Sequence, residues 1–393
     1  MSEPDSQTDE ELKPNTPSQP KSRLLEILRQ SPASRISRLP DFDTGAAEVE
    51  PFPFLAIIGQ EEMKLALLLS LINPNVGGVL LIGPRGTAKT TAVRSLTDLL
   101  PTVKHSLCVH GCTEEMLEQF GMDGVCPDCA TKFGHGEPLT AVDKVRIFEL
   151  PLNARLDDVV GGINERVALE QNRVRLERGI LGHADRHILY IDEVNLLDDV
   201  ITDAILDAAA QGQYTVRRGP LKMSYNARLM LIGSMNPEEG RLRPQLMDRF
   251  GLRAVVRGLD EPKLRYQAYE RAMAYKNRPE LFAASYAEGT LALAEEIQQA
   301  RDRLPTVTVS EAARELGLAL VKKLTIDSNR AEITLFEAAR AHAAADERSE
   351  TLPEDVQAVA LLALRQRQSP QLAKFFADQE EEDKVLTAVF NHK

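Results

Sequence analysis

The sequence is short of positive charge, of cysteine and of long apolar runs, and each shortage narrows what the chain can be. Lysine and arginine number 47 against 59 aspartates and glutamates, for a formal net charge of −12. That balance excludes bulk electrostatic binding to nucleic acid or to an anionic membrane and leaves only local basic patches for such contacts. No apolar run reaches the roughly 20 residues of a membrane-crossing helix, and the longest, VGGVLLIG, is strand-sized. The N-terminus, MSEPDSQTDEELKP, is acidic and polar and has no apolar signal core, which predicts a cytoplasmic location. The four cysteines all fall between residues 108 and 129, too few and too local for a secreted disulfide scaffold. There is no internal repeat.

What is there is an ordinary globular composition, 43% hydrophobic and 27% charged over 393 residues, enough for two domains and a tail. Residues 1 to about 22, rich in Pro, Ser, Gln and acid, read as disordered. KSRLLEILRQ (21–30) reads as a short amphipathic helix for docking. FPFLAIIGQEEMKLALLLSLIN (52–73) predicts a turn and an apolar helix. GGVLLIG (77–83), RHILYIDEV (186–194) and ARLMLIGSMNP (227–237) predict buried strands, and KTTAVRSLTDLL (89–100) predicts a helix. Strands alternating with helical stretches indicate an α/β domain with a largely parallel sheet. From 262 onward the Ala- and Leu-rich segments, EGTLALAEEIQQARDRL among them, are helical by period. The expected organisation is a weakly structured tail over 1–50, an α/β domain over 51–261 and a helical domain over 262–393.

GPRGTAKT (83–90) is a phosphate-binding loop with one departure, Ala88 in place of the last glycine. The predicted strand before it and helix after it are the context that the motif requires. The nucleotide-binding candidates are Gly83, Pro84, Arg85, Gly86, Thr87, Ala88, Lys89, Thr90 and Thr91. Loop N–H groups and the helix N-terminus would hold phosphate oxygens, Lys89 would reach the β- and γ-phosphates, and Thr90 would ligate Mg²⁺. Ala88 is expected at negative φ, with Gly83 and Gly86 supplying the loop's freedom. ILYIDE ends a buried strand in two carboxylates: Asp192 fits a Mg²⁺ ligand, and Glu193 fits the group that polarises the attacking water. Asn236, at the end of the third strand, is placed to hold that water. A lone Asn there would be a turn residue.

From about 53 to 367, roughly four-fifths of the chain, the order of motifs resembles subunit I of magnesium chelatase, an AAA+ ATPase. GPRGTAKTTAVRSL, ILYIDEVNLLDD and SNRAEITLFEAARAHAA carry the likeness, and MNPEEGRLRPQLMDRFGL is specific to the chelatase group. The resemblance implies a homo-oligomeric, hexameric ring with ATP between neighbouring copies. It implies that Arg249 is the arginine finger reaching the adjacent copy's γ-phosphate and that Arg330, on the helical lid, is the second sensor arginine. Arginine suits both roles as a permanent planar cation. Without the resemblance, each would read as a surface residue. Further implied are a helix-2 insertion over 151–181, a hairpin over 213–228, a von Willebrand A-type partner, and a large porphyrin-binding partner that receives Mg²⁺ for chlorophyll biosynthesis. Ala88 departs from the family's usual glycine and is shared with the MoxR group of remodelling ATPases, which keeps that activity open as the alternative.

The cysteine-rich loop (105–135) is the second departure. Cys108 and Cys112 form C-x3-C, Cys126 and Cys129 form C-x2-C, and thirteen residues separate the pairs. Two close pairs bridged by a loop make a four-thiolate Zn²⁺ site. A redox-active CPDC pair, four ordinary reduced thiols and an iron–sulfur cluster stay open. His105, His110 and His135 read as surface residues, with His110 the best substitute ligand.

Overall fold

The computed structural model describes residues 51–100, 102–108, 111–163, 176–219, 221–240 and 242–367. The predicted docking helix over 21–30 lies outside them, as does His110. The strands in chain order are β1 (Val79–Ile82), β2 (Thr102–Ser106), β3 (Thr140–Lys144), β4 (Ile147–Leu150), β5 (Gly161–Ile163), β6 (Leu176–Arg178), β7 (Ile188–Ile191), β8 (Gln213–Arg218), β9 (Leu221–Asn226), β10 (Met230–Met235) and β11 (Leu252–Val255). Five of them form one sheet in the order β11-β1-β10-β7-β4, and every pairing in it is parallel. The other six pair antiparallel in three two-stranded sheets, β2 with β3, β5 with β6 and β8 with β9.

Strands β1, β7 and β10 are buried at every residue because both faces of the sheet are covered. Side chains alternate between the faces. Val79, Leu81, Ile188 and Tyr190 enter one core with Leu67 and Leu68 of helix Glu61–Ile72, Leu293 and Ile297 of helix Ala287–Arg303, and Leu335 of helix Asn329–Ala345. Leu80, Ile82, Leu189 and Ile191 enter the other with Ile201, Ile205 and Leu206 of helix Asp199–Gln211. Helices Ala287–Arg303 and Asn329–Ala345 therefore share a core with the sheet. Among the described residues no helix is long and apolar enough to cross a membrane. The predicted helix over 89–100 is α-helical only over Lys89–Arg94 and tightens to 3₁₀ over Ser95–Leu99.

Candidate functional site

The phosphate loop, the acidic pair and Asn236 follow β1, β7 and β10, three neighbouring strands, so all three open into one crevice at the sheet's carboxyl edge. The loop differs from the sequence expectation in two respects. Ala88 has φ +65°, the left-handed region, and it is the residue that caps helix Lys89–Arg94. The loop must reverse there to turn its N–H groups inward, so a residue with a Cβ occupies a position that suits glycine. Gly86 also has positive φ (+77°), as its role in the turn requires. Gly83 is needed for closeness rather than for freedom: a Cβ there would stand 2.1 Å from the Val256 carbonyl oxygen.

Lys89 is buried, and its ammonium donates to the carbonyls of Gly83 and Pro84, both at 2.8 Å. Burial lowers its pKa, with Asp192, Glu193 and Glu239 opposing. Thr90 Oγ1 donates to Asp192 Oδ2 at 3.1 Å. The other Asp192 oxygen accepts from the Ser234 hydroxyl and stands 2.9 Å from the Tyr190 hydroxyl. Burial opposes ionisation of Asp192, but the hydroxyls of Ser234, Tyr190 and Thr90 and the charge on Lys89 outweigh it and hold the carboxyl below its ordinary range. Burial pushes the Tyr190 phenol up, so it stays a protonated donor. Thr90 and Asp192 thus bring hard oxygens together at the crevice floor, a donor set that fits Mg²⁺ completed by phosphate and water.

Glu193 has φ +51°, and its N–H donates to Ser234 Oγ at 3.1 Å. Arg85 crosses the crevice mouth, 3.1 Å from Glu193 Oε1 and 2.5 Å from Glu239 Oε1. Asn236 is buried, and its Oδ1 accepts from the Glu238 N–H at 3.2 Å, which leaves the amide NH₂ for a ligand. Tyr190 and Ser234 were missed by sequence reasoning. The signal was their period-two spacing, each two residues before a polar site residue in an apolar strand. Also missed was a cavity of about 510 Å³ beside Gly86, Thr87, Ala88 and Thr91, lined by Ile57, Ile58, Leu259 and Tyr275. Apolar walls next to a phosphate loop suit a flat heterocycle.

Arg249 and Arg330 are elsewhere. They line one cavity of about 320 Å³ with Gly77 and Gly78, which precede β1, whereas the phosphate loop follows it. A strand's rise puts the two ends about 13 Å apart. Arg249 pairs with Asp207 at 3.0 Å, and Arg330 Nη1 is 3.7 Å from Asp248. The two arginines are therefore brought to each other but not to their own chain's Lys89.

The four cysteines converge: one ligand atom from each lies within 4.8 Å of the others. Cys112 and Cys129 are buried, and burial pushes the Cys112 thiol up to about 11 and the Cys129 thiol up further. His105 and His135 are not in that group.

Comparison with known proteins agrees with this geometry. Residues 164–255 match the MCM P-loop domain and residues 318–389 match the AAA lid domain. The magnesium-chelatase subunit ChlI homolog of Methanocaldococcus jannaschii is 43% identical over 81% of this chain and 86% of its own. Magnesium-chelatase subunit ChlI of Synechocystis is 40% identical over 80% of this chain and 88% of its own. A chain in a complex of subunits BchI and BchD of magnesium chelatase, based on a cryo-EM reconstruction, is 36% identical over 83% of this chain and 99% of its own, with a TM-score of 0.45. A nucleotide crevice on a parallel sheet, a helical lid and identities of this size over four-fifths of the length place the chain in the magnesium-chelatase subunit I family of AAA+ ATPases.

Proposed function

We propose that this chain is the ATPase motor of a magnesium chelatase, a cytoplasmic ring, hexameric by family pattern. It couples ATP hydrolysis to Mg²⁺ insertion into protoporphyrin IX held by a large partner subunit, with a von Willebrand A-type subunit as second partner. The loop N–H groups and Lys89 grip the β- and γ-phosphates, the ammonium leaving the carbonyls of Gly83 and Pro84 as it does so. Thr90 and Asp192 hold the Mg²⁺ that accompanies ATP. When bound, that ion neutralises charge on the phosphate oxygens. Glu193 orients and polarises the attacking water, and the Asn236 amide fixes its position. Arg249 of a neighbouring copy supplies the remaining positive charge, a contribution of roughly 10³–10⁵ in turnover for arginine fingers. Arg330 accompanies it on the same face.

The observation that carries the motor reading is the placement of Lys89 and Arg249 at opposite ends of β1: one chain supplies each half of a site, and a ring supplies both. The chelatase reading rests on relatives carrying that name over four-fifths of the length. It is tested by combining the purified chain with its cognate large and von Willebrand A-type subunits, protoporphyrin and Mg²⁺. ATP-dependent metal insertion is expected. Intact ATP hydrolysis without insertion would favour the MoxR-like remodelling activity, to which Ala88 also belongs.

A further inference from the structure

We propose that Cys108, Cys112, Cys126 and Cys129 bind one Zn²⁺ ion, which staples the segment between β2 and β3 into a folded module. A tetrahedral site with Zn–S bonds of about 2.3 Å spaces its sulfurs about 3.8 Å apart. Here Cys108 Sγ and Cys126 Sγ stand 3.6 Å apart, and all four sulfurs lie within 4.8 Å of one another. The short contact joins one pair to the other, as a shared ion requires. Cys112 Sγ also accepts the Cys126 N–H at 3.3 Å, a bond suited to a sulfur carrying negative charge.

The backbone is arranged for the same end. Gly111, at φ +74°, turns the chain between the first two cysteines, and its N–H bonds the Cys108 carbonyl at 3.1 Å. Cys126 caps helix Pro127–Gly134, which puts Cys129 on its first turn. The Glu114 carboxylate accepts from the N–H groups of Leu139 and Thr140 at 2.8 and 3.0 Å and so closes the module's base. Apolar burial alone cannot hold this segment. Among the described residues its fully buried core is Cys112, Cys129 and Leu139, with Leu117 and Val125 partly buried against it, while Leu107, Phe120, Met122 and Phe133 are exposed. A unit this small with so little core depends on a metal or a cross-link. Binding would release the thiol protons to solvent and leave four thiolates around the ion. The module adjoins the hairpin before β10, since Cys108 and Gly111 share a small cavity with Tyr225 and Asn226.

The test uses the full chain, purified without added metal and without a metal-binding tag. Elemental analysis is expected to give about one zinc per chain. Replacing zinc with Co²⁺ is expected to give the intense thiolate-to-metal and d–d absorption of a tetrahedral four-sulfur site, and chelation is expected to open the segment to protease. Cys126→Ser should lower the metal content and shift the Co²⁺ spectrum. Wild-type protein with little zinc and four freely reacting thiols, a Cys126–Cys129 disulfide, or iron in place of zinc would each overturn the proposal. So would full zinc content with an unchanged Co²⁺ spectrum in Cys126→Ser.

Discussion

Tyr190, on β7, places its hydroxyl 2.9 Å from Oδ1 of Asp192, which stands just beyond the strand's end. With Ser234 it fixes the orientation of a carboxylate whose other oxygen meets Thr90. Groups that hold a metal ligand in place typically contribute 10–100-fold to metal affinity. Tyr190→Phe removes the hydroxyl and keeps the ring packed. We expect the Mg²⁺ concentration for half-maximal ATP hydrolysis to rise by about 10-fold, with little change in turnover at saturating Mg²⁺. An unchanged Mg²⁺ dependence would show that the Tyr190 hydroxyl does not position Asp192 for the ion.

In the proposed mechanism Lys89 serves binding and Glu193 serves chemistry. Lys89→Ala should lose nucleotide affinity, read by fluorescent-nucleotide titration. Glu193→Gln should bind ATP normally yet hydrolyse it roughly 10²–10⁴-fold more slowly. Near-normal turnover in Glu193→Gln would remove Glu193 from the role of activating water.

Ala88 stands in the left-handed region, where a side chain costs about 1–2 kcal/mol relative to glycine before glycine's own entropy is counted. Ala88→Gly should therefore stabilise the nucleotide-free protein by up to about 1 kcal/mol, seen as a higher denaturation midpoint. A lower midpoint would mean that the alanine methyl makes a compensating contact.

Legibility in the sequence followed burial. Strands β1, β7 and β10 are covered on both faces and read as unbroken apolar runs. The edge strands β4 and β11 escaped notice because charged residues interrupt them. Glu149 pairs with Arg94 at 2.7 Å, and Arg253, buried, donates to the carbonyls of Arg365 and Met247 at 2.9 and 2.7 Å. The loop, the acidic pair and Asn236 announced themselves as polar residues where apolar strands end. Tyr190 and Ser234 were hidden inside those strands. The apolar cavity beside the loop draws on segments near 57, 87, 259 and 275, a juxtaposition that only folding creates. Ala88 departs from the expected negative φ because the chain reverses at that residue before the helix starts at Lys89, so its backbone is left-handed rather than already helical.

In the lid, Asp355 is fully buried and accepts from His342 Nδ1 at 2.6 Å and from Arg348 Nη1 at 2.6 Å. Burial alone would raise its pKa, but Arg348, His342 and the Leu352 N–H outweigh that and bring it down to about 2. A depressed carboxylate contributes stability above its unfolded value, near 3.9, and loses it as pH falls through the folded value. Asp355→Asn should destabilise the protein by about 2 kcal/mol at neutral pH. It should also flatten the loss of stability between about pH 4 and pH 2, followed by denaturant titration at each pH. An unchanged acid profile would mean that the Asp355 ion pairs do not stabilise the lid.

The central claim is that one hydrolytic site is built from two copies. Arg249→Ala alone and Lys89→Ala alone should each be nearly inactive, since every interface lacks one half. Mixed in equal amounts under conditions that let rings exchange subunits, they can form interfaces that join an intact loop from the first protein to an intact arginine from the second. Recovery of ATP hydrolysis well above the sum of the separate mutants is the predicted result. No recovery, in mixtures shown to have formed mixed rings, would contradict the shared site.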